Sequence, residues 1–195
     1  MRLTMITLLL IVPLSMAGDA VPVAGSEVSF VPKVQQLAQG KDVNLNITGT
    51  ALRSRFTFKV YALASYLQDG VTVKNAEELA KVDAVKLLHL VMERKVTGAD
   101  FIDAFKTAVG ESRAKTEFAA EFKKLNEALK GATADNGEYV LMLYVPNVGT
   151  RFRVQDRIDI TIENKEFASA IWGTFLGPNA IDDDMKKGLV SQIGK

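Results

Sequence analysis

The side chains that most often do chemistry are scarce in this chain. Among its 195 residues there is no cysteine and a single histidine, His89. That removes thiol nucleophiles and thiolate metal sites, and it leaves a His-rich zinc site or a Ser-His-Asp relay hard to assemble. His89 lies in Val85-Lys86-Leu87-Leu88-His89-Leu90-Val91, whose apolar density reads as a buried strand, so it reads as a half-buried strand histidine. Asp182, Asp183 and Asp184 stand in a row. Three acids at a helix start match a cap and the helix dipole better than they match a metal cluster. Asn46-Ile47-Thr48 fits a glycosylation acceptor but falls inside a strand pattern, and it matters only in a eukaryotic secretory pathway. Phosphate-loop, nucleophile-elbow and dinucleotide signatures are absent. Arg53, at a strand end, reads by itself as a surface cation.

The elements that must position these groups follow from periodicity. Val28 to Val31 reads as a short strand. Val43 to Thr48 alternates apolar and polar residues, the pattern of a strand with one buried face, and Gly49-Thr50 can bend or bulge it. Arg53 to Tyr66 reads as a strand dense in aromatic and β-branched residues, closed by the turn signal Asp69-Gly70. Asn75 caps a short helix to Lys81. Val85 to Met92 is the next strand. Thr97 opens a helix with Phe101, Ile102, Phe105, Ala108 and Val109 on one stripe, and Gly110 stops it. One further helix is predicted from Ser112 to Leu129. A meander follows: Tyr139 to Val145, a turn at Pro146 to Gly149, Thr150 to Val154 with Arg151 and Arg153 on one face, a turn at 155–157, and Ile158 to Ile162. Two helices end the chain, one from Lys165 to Phe175 and one starting near Asp182. The phenylalanine stripes read as core. Strands in hairpins and helices in blocks argue an α+β class with an antiparallel sheet.

Charge and the first residues bound the setting. Arg2 followed by the apolar run Met5 to Met16 reads as a secretory signal over residues 1–17, with cleavage after Ala17 or after Ala20. The run is shorter than the ~20 apolar residues of a bilayer span, so no stable membrane anchor is expected after cleavage. Residues 18–195 are then one domain, of a size that can hold itself together without disulfides. The chain carries 24 basic and 23 acidic residues, which gives it no electrostatic reason to bind nucleic acid. The expected location is the periplasm or the exterior.

Gly49-Thr50-Ala51-Leu52-Arg53, followed by Phe58-Lys59-Val60-Tyr61-Ala62-Leu63-Ala64-Ser65-Tyr66-Leu67, resembles the central motif of the chalcone isomerase-like family. Val91 to Phe105, Leu143 to Thr150 and Ile162 to Gly177 resemble further family segments in the expected order. The resemblance spans about Val28 to Leu189. It implies a large antiparallel sheet with a layer of helices on one face, an open-faced sandwich with a ligand cleft between the layers.

In the plant enzymes of the family an arginine assists closure of a chalcone to a flavanone, because a permanently charged planar fork can stabilise a phenolate and a developing enolate. Arg53 matches that arginine by spacing, with Arg55 as a second candidate. Tyr61 stands where the enzymes place a threonine, Phe101 where they place a tyrosine, and Ala108 where they place an asparagine. An arginine and a tyrosine with apolar neighbours resemble instead the fatty-acid-binding branch, where the pair holds a carboxylate and the cleft takes an acyl chain. The expectation is a non-catalytic binder of a small amphipathic ligand, such as a fatty acid or a polyphenol, through Arg53, Tyr61, Phe101 and Ala108. An intramolecular lyase relying on Arg53 and a partner-binding protein with a vestigial cleft are the alternatives. No cofactor or metal is implied.

Overall fold

The computed structural model describes residues 19–194, so the expected signal segment lies outside the described residues. A small hairpin, β1 (Val21–Pro22) and β2 (Ser29–Phe30), leads into β3 (Lys33–Ala38), β4 (Lys41–Arg55) and β5 (Phe58–Gln68). Helix α1 (Ala76–Lys81), β6 (Lys86–Met92) and β7 (Val96–Thr97) precede three helices, α2 (Gly98–Val109), α3 (Glu111–Thr116) and α4 (Ala119–Leu129). Then come β8 (Thr133–Ala134), β9 (Tyr139–Val145), β10 (Gly149–Val154), β11 (Ile158–Ile162), α5 (Lys165–Leu176) and α6 (Asp183–Leu189). Seven strands form one curled antiparallel sheet in the order β11-β10-β9-β6-β5-β4-β3, and β7 pairs with β8. The α+β class is as the sequence implies.

Strand alternation divides the sheet's two faces into two cores. Leu63, Leu88, Leu90, Met92, Met142 and Phe152 point to the side that carries helices α1 to α6. Ala62, Ala64, Tyr66, Leu87 and Leu143 point to the other, where Val23 and Phe30 of the leading segment cover them. The helices meet the sheet through their predicted stripes: Phe101, Ile102 and Phe105 of α2, Phe122 and Leu125 of α4, and Phe167, Ile171 and Trp172 of α5 are buried. Caps fix their starts. Thr97 and Asp100 form a reciprocal capping box on α2, and Asn75, Asn164 and Asp182 cap α1, α5 and α6.

Two expectations are corrected, and one strand is added. The segment from Arg53 to Tyr66 is not one strand. Strand β4 runs through Gly49 to Arg55 and turns at Phe56-Thr57 into β5, so Arg53 ends one strand instead of opening the next. The turn carries no glycine or asparagine signal; Phe56 takes the left-handed backbone itself, at φ 55°. Residues 112–129 are two helices, not one, because Phe118 turns inward to stack edge-on against Phe167 at 5.5 Å and interrupts the helical run. Strand β3, an edge strand with exposed Lys33, Gln35 and Leu37, gave no clear alternation and was not predicted.

A buried lysine and a half-buried histidine sit in this framework. The Lys86 ammonium, on β6, donates to the carbonyls of Leu79 (3.2 Å), Ala80 (2.6 Å) and Val82 (3.0 Å), which closes the C-terminal turn of α1. The rings of Tyr144 and Trp172 lie 5.2 and 5.4 Å from it. Burial pushes Lys86 down to about 7, against a smaller opposing pull from Asp83. His89, on the opposite face, is wedged edge-on between Phe30 and Tyr139, and burial pushes it down to about 4.

A histidine depressed from 6.5 to about 4 contributes stability that is complete above 6.5 and lost as pH falls through 4. Urea unfolding at several pH values should therefore show stability falling across that window. His89→Gln should flatten the fall.

Candidate functional site

Strands β4 and β5 build one wall of the site, and their register explains why the right side chains meet there. Arg53 and Tyr61 are direct cross-strand partners, so their side chains share one face of the sheet. The register then jumps: Ser54 pairs with Lys59, which leaves Val60 as an extra residue in β5. This bulge sends both Val60 and Tyr61 to the helical side, where both are buried, although consecutive strand residues normally point to opposite faces. Tyr61 pairs in turn with Met92 at the end of β6.

A cleft of about 520 Å³ opens between this end of the sheet and the helices. Its sheet wall is Arg53, Val60, Tyr61 and Leu90. Opposite stand Phe101, Phe105 and Ala108 of α2, with Thr174 and Phe175 of α5 and Ile181 beyond them. Arg55 and Arg94 line the same space, together with Asp100 and Asp103. The four residues singled out from the sequence, Arg53, Tyr61, Phe101 and Ala108, thus fall on one cavity, with the two polar ones side by side. Arg55, the second candidate, lies at the hairpin turn and is exposed, with Phe56 against its guanidinium at 6.0 Å. Trp172 is fully buried and takes no part in the lining.

The arginine already holds a carboxylate. Arg53 Nη1 donates to Asp182 Oδ2 at 2.9 Å, and both side chains are about three-quarters buried, at 25% and 28% exposure. The same carboxylate caps α6 through its other oxygen, which accepts from the backbone N–H groups of Asp184 (3.1 Å) and Met185 (3.0 Å). Burial pushes the Tyr61 phenol well above its ordinary range; Arg53 pulls the other way and Asp182 adds to the rise. At neutral pH it is a hydrogen-bond donor, and among the described residues its hydroxyl has no hydrogen-bond partner. The cleft therefore offers a fixed cation, a protonated phenol and apolar walls, an arrangement that can receive an oxyanion attached to an apolar body.

Asp182 is the participant that sequence reasoning missed. It was legible as a helix cap, but its bond to a residue 129 positions away was not. The signal lay in two glycines. A Cβ on Gly49 would fall 2.1 Å from the Gly188 carbonyl oxygen, and one on Gly188 would fall 2.5 Å from the Thr50 carbonyl oxygen. Main chain thus lies on main chain where α6 crosses β4. Thr48 secures the crossing: its hydroxyl is 2.9 Å from the Leu189 carbonyl oxygen, and its own carbonyl accepts from Gln192 N–H at 2.9 Å.

An open-faced α+β sandwich with a cleft between its sheet and its helices is the class these features define. The chain belongs to the chalcone isomerase-like family, whose model matches residues 26–191. Among solved structures it is similar to the Arabidopsis thaliana fatty-acid binding protein AtFAP1, with a TM-score of 0.68 at 13% identity. That match covers 88% of this chain and 96% of the other. At this identity the likeness is one of fold. No protein with a curated description matches significantly.

Gly188→Ala should lift α6 from β4. An overpacked backbone contact typically costs about 1–3 kcal/mol, more than the ~1 kcal/mol that alanine gains over glycine in a helix. Thermal unfolding should show Tm lowered by several degrees, whereas Gly40→Ala, where a Cβ meets nothing, loses only what its left-handed φ of 74° costs.

Proposed function

We propose that the protein is a non-catalytic binder of a small amphipathic carboxylate, of the fatty-acid class, held in this cleft with its head on Arg53. One observation carries the reading. The Arg53 guanidinium sits beside the Tyr61 phenol at the edge of an apolar cleft, and it engages a carboxylate there in a single hydrogen bond. A guanidinium has five N–H donors, so the fork keeps capacity for a second oxyanion. Tyr61 supplies a neutral donor to the same head. Val60, Leu90, Phe101, Phe105, Ala108 and Phe175 supply the apolar walls for the tail, and the volume lies within the range of small-molecule sites. The likeness to a plant fatty-acid binding protein supports the reading through fold. Export to the periplasm or exterior remains part of the proposal.

Asp182 sets the affinity. Its charge neutralises part of Arg53, so an incoming carboxylate competes with an internal one. Neutral amphiphiles with the same tail pay no such penalty, nor do they gain the charge-assisted bond.

Binding should be measured by titrating a fluorescent fatty acid into the protein, with native mass spectrometry to identify what co-purifies. Arg53→Ala should weaken binding about tenfold or more, the worth of a charge-assisted hydrogen bond. Asp182→Asn should strengthen it about fivefold, the scale of a part-exposed ion pair, while asparagine keeps the α6 cap. Unchanged binding in Arg53→Ala would refute the assignment. Arg53-dependent loss of 2′-hydroxychalcone absorbance would establish a lyase in its place.

A further inference from the structure

The tip of the β4–β5 hairpin is built unlike the rest of the surface. Five consecutive residues, Arg55-Phe56-Thr57-Phe58-Lys59, are all exposed. Of the ten phenylalanines in the chain, eight are buried; the two that are not are Phe56, 90% exposed, and Phe58, 68% exposed. They are neighbours on one turn. Phe56 also occupies a left-handed backbone position, φ 55°, that glycine or asparagine would fill more easily. A large aromatic held in strained backbone and presented to water is poorly explained by folding alone.

The charges around the tip select a partner. Arg55 and Lys59 flank the two rings, and neither forms a salt bridge among the described residues. Glu93 N–H bonds the Val60 carbonyl, which brings the exposed turn residues Arg94 and Lys95 beside the hairpin base. Lys95 has only a long contact to Asp135, at 3.7 Å. The acids on this side are Glu93, which accepts from the Ser26 hydroxyl, Asp100, engaged in the α2 capping box, and Asp103 on the cleft lining. Aromatic rings flanked by two cations without an ion pair, with Arg94 and Lys95 only loosely engaged beside them, match an anionic lipid surface: the rings enter the headgroup–acyl boundary while the cations meet the phosphates.

We propose that this hairpin tip is a membrane-docking element for anionic lipid surfaces. Arg55 belongs to both the tip and the cleft lining, so docking there sets the cleft mouth at the bilayer. The inference stands on the exposure and charge of the tip, independently of what the cleft holds.

Added-tryptophan reporters test it in the full chain. Trp172, the natural tryptophan, is fully buried, so an added one dominates contact quenching. Phe56→Trp places the reporter on the tip. Leu37→Trp places it on β3, at an exposed position opposite Asp42 of β4, roughly 40 Å of strand away at ~3.3 Å per residue. With vesicles of phosphatidylglycerol and brominated phosphatidylcholine, the tip reporter should shift to the blue and be quenched. The Leu37→Trp reporter should do neither, and phosphatidylcholine alone should give little response. A Phe56→Ser/Phe58→Ser variant should partition about tenfold more weakly or worse, with its thermal unfolding and its fatty-acid titration unchanged. Equal quenching at both positions would mean that another segment carries the chain to the vesicle, and would overturn the proposal. So would an unquenched tip, or a concentration-dependent blue shift without vesicles, which would mark contact with a second copy.

Discussion

Where β4 passes under α6, two glycines let one backbone rest directly on another. The chemistry of the site depends on this approach. With even a methyl group on either residue the helix would stand off, and its capping carboxylate would no longer lie 2.9 Å from the Arg53 guanidinium. The G-x-x-x-R spacing thereby acquires a mechanical sense. Gly49, Ala51 and Arg53 face the helical layer; Gly49 admits α6, Ala51 packs beneath Gly188, and Arg53 meets the N-terminal cap. A strand end that would otherwise wave a cation into water becomes a fixed wall of a cavity.

The cleft itself is made by a small irregularity. An ideal β5 would turn Val60 and Tyr61 to opposite faces; the bulge turns both inward. This puts a phenol beside the guanidinium and an aliphatic group beneath it, while the hairpin beyond continues into solvent with its two exposed rings. One local change in register thus separates a buried cleft wall from an exposed tip only a few residues away. On the far wall, the side chains of Phe101 and Ala108 offer no hydrogen bonds and the Thr174 hydroxyl donates to the Ile171 carbonyl, so the polarity of the cleft is concentrated at Tyr61 and at Arg53, which Asp182 holds, with Arg55, Arg94, Thr107 and the two α2 acids around them.

Much of the architecture could be read from the chain because local pattern and tertiary demand agree there. Tyr139–Val145 and Ile158–Ile162 are strands with the predicted bounds, and α2 starts at its threonine and ends at its glycine. Where the two disagree, reading fails for identifiable reasons. The Phe56-Thr57 turn carries a phenylalanine where turn chemistry asks for glycine. The break before α4 comes from Phe118 seeking Phe167, a contact that no local window contains. At the site, the family resemblance pointed to Arg53 and Tyr61 as a pair. The reason they meet needed the register, and the tie to Asp182 needed the fold of the C-terminal helix. Long-range partners of a charged side chain leave no periodic trace.

The outermost strand has a quieter role. β3 pairs with β4 on one side only, and its other flank is where the seven-stranded sheet could go on growing. Lys33, Gln35 and a half-exposed Gln36 populate that border beside a lone exposed leucine, Leu37. A cation and amides are poor company for the flat apolar ribbon that would be needed to extend it. The protein thus limits its own capacity to template fibrils or to recruit stray chains edge-to-edge, a safeguard of particular value to a molecule with no covalent cross-link to keep its sheet from being remodelled.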